Sequence, residues 1–436
     1  MAHVREHRRA AGLTAVLLIL VVLLPGCGSA RAWLAMTGHP SAGPRTETLP
    51  SSGAVRSRVA LESLRMLTPL IGWALAVDKN GYPLAVVKTT DGGREWRAAG
   101  PPGLRGQALR AAFYGTRDAW VTWSSPWSRA WSVTYRTTDG GRIWARMGSI
   151  PIAAIGASAP DMMTGRLGWV TAGLGVAAGS SGIAIFRTVD GGARWRIVDL
   201  TSGQGRQAPG AIPFGCDKGA AMFSSTTTGW VTGSCAGGRP AFWVSHDGGR
   251  TWRHQPLQQP SGSGMLANCQ CFLTAPVFTS PEDGALWASD MPRPPGMPLA
   301  AYLTHDGGET WKPIRLPGGR VPLQTPDMVD GQRGFVIGGR RTQGVQPPRD
   351  VRLYATADGG TNWTSRSASP LLGQATLDFV TPAVGFASVI SYNPLRSYLL
   401  QTSNGGATWT GVPARLVGRA RSAGASPGAP KACDGA

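Results

Sequence analysis

The stretch "RTTDGGRIW" at 136–144 joins a threonine, an acidic residue and two glycines to a tryptophan, and the chain repeats it. Close variants occur at seven places, namely 89–96, 136–144, 187–195, 245–252, 304–311, 356–363 and 402–409. We call these segments the repeat turns. Consecutive copies lie roughly fifty residues apart, which is a typical period for a propeller blade of four short strands.

The residue types in each repeat turn are those that a tight β-hairpin requires. Two glycines tolerate positive φ, and the side-chain oxygen of Asp or Asn can accept backbone N–H groups of the turn. A Ser or Thr two positions earlier can bridge the hairpin, and the Trp can fill the space between neighbouring blades. We therefore predict a structural role for the seven positions Asp91, Asp139, Asp190, Asp247, Asp306, Asp358 and Asn404.

A second motif, Gly-Trp or a variant of it, precedes each repeat turn, as at Gly72–Trp73, Gly168–Trp169 and Gly229–Trp230. Short apolar, aromatic and β-branched runs lie on both sides of it, separated by Gly, Asp and Pro, as expected for meandering strands. The sequence predicts an all-β fold, a seven-bladed β-propeller of four-stranded antiparallel blades over residues 58–412. Closure into six or eight blades is the alternative.

The S/T-x-D-G-G-x-x-W pattern resembles the Asp-box, or BNR, repeat of sialidases, sortilin-type receptors and xyloglucan-cleaving enzymes. The order of a Gly-Trp strand followed by the repeat turn is most similar to the photosystem II stability/assembly factor propellers. The residue before the Trp is usually Thr in this repeat, and four copies have another residue there, namely Glu95, Ile143, Arg194 and Asn362. The resemblance implies a protein partner and no cofactor or metal.

The two ends of the chain differ in composition from the repeats. Residues 1–26 contain a basic start and an apolar run, and they predict a lipoprotein signal peptide with Cys27 as the lipidated residue. An ordinary secretory signal cleaved after Ala30 is the alternative. Residues 27–57 and 413–436 are rich in Gly, Pro and Ser, and they predict a flexible tether and a disordered tail. We expect export to the outer face of the cytoplasmic membrane, or secretion.

The formal net charge of +19 predicts attraction to polyanions or to acidic lipid head groups. We expect a monomer that binds no specific nucleic acid.

The face opposite the repeat turns is the predicted binding surface, because loops of elaborated length are expected there. Arginine and tryptophan side chains in these loops form a candidate rim that could hold carbohydrate, a phosphate-bearing polymer or a protein loop. Solvated, proline-rich loops are the alternative interpretation. The candidate rim residues are Trp127, Trp131, Arg293, Arg340, Arg341 and Arg349.

Four cysteines are predicted to cluster on this same face. Cys216 and Cys235 have near-mirror positions about a hairpin, so that a cross-strand disulfide is feasible, while Cys269 and Cys271 belong to the next blade. An exported chain favours disulfides, although three pairings of the four cysteines remain open. A four-thiolate zinc site is the alternative.

Catalytic residues are scarce outside the repeats. Of six glutamates, only Glu62 and Glu282 lie outside the predicted signal, tether and repeat turns, whereas a glycosidase needs two carboxylates facing one pocket. Asp161, Asp217 and Asp290 are the candidates for the central channel. We therefore predict a non-catalytic binding or assembly scaffold for a protein partner. A cell-envelope glycan or polyanion binder and a sialidase-like glycoside hydrolase are the alternatives.

Overall fold

A computed structural model describes residues 59–104, 109–125, 131–151, 154–177, 180–203, 207–235, 240–260, 271–290, 298–340, 349–368, 375–392 and 395–417. These residues form seven separate sheets that are the blades of a seven-bladed β-propeller, which confirms the predicted fold class. The predicted signal peptide and tether, including Cys27, lie outside the described residues, as does the chain after position 417.

Each of the first four blades is a meander in which neighbouring strands are antiparallel. Blade 1 contains β1 (Ala60–Met66), β2 (Gly72–Val77), β3 (Pro83–Thr89) and β4 (Glu95–Ala98). Blade 2 contains β5 (Leu109–Phe113), β6 (Ala119–Ser124), β7 (Ser132–Thr137) and β8 (Ala145–Ile150). Blade 3 contains β9 (Gly156–Ala157), β10 (Asp161–Met162), β11 (Gly168–Ala177), β12 (Ser180–Thr188) and β13 (Arg196–Thr201). Blade 4 contains β14 (Cys216–Phe223), β15 (Gly229–Cys235), β16 (Pro240–Ser245) and β17 (Arg253–His254).

The remaining three blades follow the same order. Blade 5 contains β18 (Cys271–Leu273), β19 (Val277–Phe278), β20 (Gly284–Asp290), β21 (Pro298–Thr304) and β22 (Lys312–Pro313). A 3₁₀ turn (Pro317–Gly319) leads to blade 6, which contains β23 (Val321–Pro322), β24 (Asp327–Met328), β25 (Gly334–Arg340), β26 (Arg349–Thr356) and β27 (Thr364–Ala368). Blade 7 contains β28 (Ala375–Phe379), β29 (Gly385–Tyr392), β30 (Leu395–Thr402) and β31 (Thr410–Val412). The innermost strand of blades 3, 5 and 6 is broken into two short pieces, which lets it bend.

The repeat turns share one geometry in all seven blades. The Ser or Thr hydroxyl donates to the Asp or Asn oxygen at 2.7–3.0 Å and accepts the second glycine's N–H at 2.9–3.0 Å. That same oxygen accepts the amide four residues later at 2.9–3.0 Å. Both glycines have φ between 66° and 96°, where a Cβ would be strained. These acidic side chains are therefore occupied by their own turns.

The repeat turns define one face of the ring. In every blade, the first glycine's N–H donates at 2.8–2.9 Å to a carbonyl in the turn between the first and second strands, so that both turns lie together. Because neighbouring strands are antiparallel, the second-to-third-strand connections and the crossovers between blades lie on the other face. We call the two sides the repeat-turn face and the crossover face.

Tryptophans fill the spaces between blades, as predicted. Trp169 of blade 3 is completely buried, stacks on Phe223 of blade 4 with ring centroids 3.9 Å apart, and donates its indole N–H to the Gly248 carbonyl at 3.2 Å. The repeat-turn tryptophans pack against the preceding blade, as Trp311 does against Phe242. One aromatic layer thus couples each blade to its neighbour.

The described chain continues beyond the predicted propeller boundary at 412 and pairs with blade 1. A last strand, β32 (Arg415–Val417), pairs in parallel with β4 at the outer edge of that blade. Arg415 also forms an ion pair with Glu95 at 2.6 Å. The strand satisfies backbone groups of an otherwise open edge and links the end of blade 7 to blade 1.

Candidate functional site

Three arginines surround one aspartate on the crossover face of blade 6. The Asp350 carboxylate contacts the guanidinium group of Arg320, that of Arg352 at 2.9 Å and that of Arg340 at 3.6 Å. Arg349 is exposed and pairs in register with Arg340 across β25 and β26. We call Arg320, Arg340, Arg349 and Arg352 the arginine cluster. Its positive charge exceeds what a single carboxylate can neutralise, so that it attracts anions.

The side chains of the arginine cluster differ in how far they are exposed to solvent. The Arg320 side chain is only 12% exposed, whereas that of Arg340 is 58% exposed and faces solvent. Hydrogen bonds from Arg352 and then Arg320 lower the pKa of the Asp350 carboxyl, although slight burial opposes them. The buried Nε of Arg320 has no hydrogen-bond partner within the described residues. The cluster therefore combines one largely buried arginine with exposed ones.

Local backbone conformation places the cluster. Gly318 has φ 69°, a conformation that favours glycine, and this turn (Pro317–Gly319) directly precedes Arg320. Asp350 has φ 51°, which is uncommon for a residue other than glycine. Aspartate tolerates this left-handed conformation better than most residues, and in it the Asp350 carboxylate contacts all three arginines.

The other candidate rim residues do not join this cluster. Trp131 lies on blade 2, three blades away around the ring, is 37% exposed and packs edge-on against Trp123 with ring centroids 5.3 Å apart. Trp127, Arg293 and Arg341 lie outside the described residues. Of the predicted rim, the structure brings Arg340 and Arg349 together on blade 6.

The cysteines form disulfides. Cys216 and Cys235 are bonded to each other and pair in register between β14 and β15. Cys271 is also disulfide-bonded, and Cys269 lies outside the described residues. Because a sulfur in a disulfide cannot act as a zinc thiolate, this pairing contradicts the four-thiolate alternative. No cluster of metal-ligating side chains is present in the part of the chain that the structure describes.

A buried lysine lies next to this disulfide. Lys218 is completely enclosed, and its Nζ donates to the carbonyls of Ser181, Phe214 and Cys216 at 2.8, 3.0 and 2.6 Å. Burial lowers the pKa of Lys218 to about 8, against the opposing charges of Asp217 and Asp199. Asp217, a candidate for the central channel, thus belongs to a lysine-centred group that fastens the long crossover between blades 3 and 4.

Inner-strand carboxylates form a second group, which sequence reasoning found only in part. Asp161, Asp327 and Asp378 occupy the same inner-strand position in blades 3, 6 and 7, and each accepts a backbone N–H from the next blade. Asp161 accepts from Phe223 at 2.7 Å and Asp327 from Phe379 at 2.6 Å. We call these three side chains the inner carboxylates. The signal that could have revealed them is the recurring acidic residue before a Met or Phe, in "DM", "DM" and "DF".

Asp378 crosses the closure of the ring from blade 7 to blade 1. It accepts the Met66 N–H and forms an ion pair with Arg65 at 3.3 Å. Burial raises the pKa of Asp378 to about 7, with the nearby Asp327 carboxylate adding to the effect and Arg65 opposing it. Burial likewise raises the pKa of Asp161 to about 6. The structure thus brings together Asp327, Asp378 and Arg65, whereas Asp217 lies elsewhere and only the backbone of Asp290 is described.

No helix in the described ranges is long and apolar enough to cross a membrane.

No family model and no curated protein sequence matches the chain. Among solved structures it is similar to YCF48 bound to a D1 peptide, with 17% identity, a TM-score of 0.45 and coverage of 80% of this chain and 96% of that one. It is similar to the GH74 xyloglucanase of Xanthomonas campestris at 16% identity and a TM-score of 0.47, covering 83% of this chain and 55% of the enzyme. It is also similar to the BP39L lectin of Burkholderia pseudomallei at 15% identity and a TM-score of 0.48, covering 82% and 99%. The chain spans about half the length of the xyloglucanase. Because these identities and TM-scores are low, we infer function from this chain's own residues.

Proposed function

We propose that this chain is an exported, membrane-tethered propeller that binds a protein partner on its crossover face and carries out no chemistry itself. The observation that supports it is the arginine cluster, in which exposed guanidinium groups exceed the single carboxylate available to them. Arginine binds carboxylates through two parallel hydrogen bonds, so that an acidic segment of a partner suits this site. The acidic repeat-turn side chains, by contrast, are occupied by backbone amides.

Reversing the two most accessible charges should weaken partner capture by about tenfold or more, a typical effect for charges at an interface. The variant is Arg340→Glu/Arg349→Glu, measured by partner recovery from cells producing the full chain. Arg315→Glu/Arg366→Glu makes the same charge change at exposed positions outside the cluster and should bind normally. Asp350→Asn removes the internal competitor and should bind more tightly. Equal loss in both arginine pairs would contradict a role for the cluster.

The membrane tether is a separate part of the proposal. If Cys27 carries a lipid, Cys27→Ser should move most of the protein from the membrane fraction to the soluble fraction, because a lipid chain supplies much of the anchoring. Fractionation of cells followed by detection of the full chain measures this. An unchanged distribution would contradict lipidation at Cys27.

A cell-envelope glycan binder is the second candidate, and the exposed face of Trp131 favours it, because sugars stack on aromatic rings. Glycan capture that persists in Arg340→Glu/Arg349→Glu but is lost in Trp131→Ala would support this candidate over a protein partner.

A glycoside hydrolase is the third candidate, favoured by the proximity of Asp327, Asp378 and Arg65. Both carboxylates already accept backbone amides of a neighbouring blade, whereas hydrolysis needs carboxylates directed at substrate. Release of sugar by the wild type, abolished in Asp327→Asn, would support this candidate.

A further inference from the structure

The repeat-turn face is chemically divided. Four side-chain positions recur on it in every blade: the turn residue whose carbonyl accepts the first glycine, the residue before the Asp or Asn, and the residues three and four after it. In blades 1–3 these positions hold Leu70, Thr90, Arg94, Glu95, Arg117, Thr138, Arg142, Ile143, Arg166, Val189, Ala193 and Arg194. In blades 4–7 they hold Thr227, His246, Arg250, Thr251, Glu282, His305, Glu309, Thr310, Gln332, Ala357, Thr361, Asn362, Ala383, Ser403, Ala407 and Thr408.

Large apolar side chains occur at these positions only in blades 1–3. Ile143 is 73% exposed, and Leu70 and Val189 are each 56% exposed, all at the tips of turns. Blades 4, 5 and 7 use Thr where blade 2 has Ile143, so that the turn itself does not need an apolar residue there. Each of blades 1–3 thus exposes one aliphatic side chain at a position where other blades carry smaller or polar residues, which makes this part of the repeat-turn face a candidate binding surface.

Arginines occupy several of the remaining positions on the repeat-turn face of the same three blades. Arg94, Arg117, Arg142, Arg166 and Arg194 are all exposed, and none forms an ion pair with a carboxylate within the described residues. Arg117 and Arg142 each donate one hydrogen bond to a turn carbonyl at 3.2 Å, which holds their stems across the surface. The equivalent positions of blade 5 carry Glu282 and Glu309 instead. Positive charge is therefore concentrated on the same sector as the apolar tips.

We propose that this sector, which we call the blade 1–3 patch, rests on an anionic lipid bilayer. Aliphatic side chains on the same face as exposed arginines match a surface of phosphate head groups over acyl chains. A segment that is acidic throughout would pair with the arginines but would leave the three apolar tips in water. The proposal rests on the membrane tether of the proposed function, and it leaves the crossover face, with its arginine cluster, pointing away from the membrane.

The predicted tether permits this orientation. Residue 60 begins β1 at its crossover-face end, because β1 runs toward the turn that contacts the repeat turn. The predicted tether spans 27–57, and an extended chain covers up to about 3.5 Å per residue, or on the order of 100 Å in all. This length is enough to pass around the edge of a propeller.

Binding of the full chain to vesicles tests the inference. Neutral phosphatidylcholine vesicles measure what the proposed lipid anchor contributes, and the additional binding to vesicles that also contain phosphatidylglycerol measures the patch. Wild type should prefer the anionic vesicles, and Arg117→Glu/Arg142→Glu/Arg166→Gln should bind them about a hundredfold more weakly. Each replacement copies the residue that blade 5 or blade 6 carries at the same position, so that folding should be preserved.

Two further variants make the test specific. Arg253→Glu/Arg315→Glu/Arg366→Gln changes the charge equally outside the patch and should keep the wild-type preference. Leu70→Thr/Ile143→Thr/Val189→Ser should weaken binding about tenfold, including at high salt, where charge is screened. Equal losses in both arginine variants, or no preference for anionic vesicles, would overturn the proposal. Capture by poly-glutamate without vesicle binding would also overturn it, in favour of an acidic protein. The vesicle experiment contains no protein partner. A negative result would therefore overturn membrane binding by the blade 1–3 patch without bearing on partner binding by the arginine cluster.

Discussion

Replacing Trp169 by alanine should lower the free energy of unfolding by about 4 kcal/mol, within the range found when large aromatic side chains are removed from a core. Trp169 is completely buried between blades 3 and 4, where it stacks on Phe223. The variant leaves a cavity and deprives the Gly248 carbonyl of its indole donor. Chemical denaturation followed by tryptophan fluorescence measures the change.

Trp131→Ala is the matched control, because it removes the same side chain from a site that is 37% exposed. We expect it to cost about 2 kcal/mol, clearly less than Trp169→Ala, since more than a third of the Trp131 side chain already lies in water. If the two variants were equally stable, the tryptophan layer between blades would not hold the ring together in the way that the structure indicates.

Asp378→Asn should change the way in which stability depends on pH. The folded protein keeps the Asp378 proton up to about pH 7, whereas the ordinary pKa of the unfolded group is 3.8. Unfolding therefore releases a proton between these two values, so that this side chain's contribution is complete below pH 3.8 and is lost as the pH rises towards 7. Asparagine still accepts the Met66 N–H but does not titrate. Relative to wild type, the variant should gain stability on the order of 2 kcal/mol as the pH is raised through this window.

Asp247→Asn provides a control of opposite sign. Hydrogen bonds from Thr251, Ser245 and Arg250 outweigh partial burial and lower the pKa of Asp247 to about 2. The contribution of Asp247 to stability is present above the ordinary pKa and is lost as the pH falls towards 2. Asp247→Asn should therefore be most destabilised, relative to wild type, at neutral pH. Thermal unfolding of both variants and wild type across the pH range measures the two trends. Parallel trends would show that burial does not control the ionisation of Asp378.

Most of the fold could be predicted from sequence because the residues that determine it lie close together in the chain and recur in every blade. Each repeat turn contains its own hydroxyl, acceptor and glycines, so that one copy predicts the other six, including Asn404. The strand that follows position 412 could not be predicted in this way. Whether Arg415–Val417 forms a strand depends on the edge of β4, more than three hundred residues earlier, and no local signal reports it.

The candidate site was less predictable for the same reason. Arg340 and Arg349 could be placed on the crossover face from the length of their connection, but Arg320 reaches Asp350 from the crossover that precedes the blade. The meeting of Arg65 with Asp378 likewise joins the first and last blades. Such contacts follow from closure of the ring. The spacing of the repeats predicts that the ring closes, but it does not predict which side chains come into contact.

We propose that protein partners bind the crossover face, while the Asp and Asn side chains of the repeat turns stabilise the fold. A photo-crosslinking amino acid placed at position 349, on the crossover face of blade 6, tests this in living cells, with position 361 on the repeat-turn face of the same blade as the comparison. We expect a discrete protein adduct from position 349 that disappears in Arg340→Glu, and no such adduct from position 361. A discrete adduct from position 361 alone would contradict it.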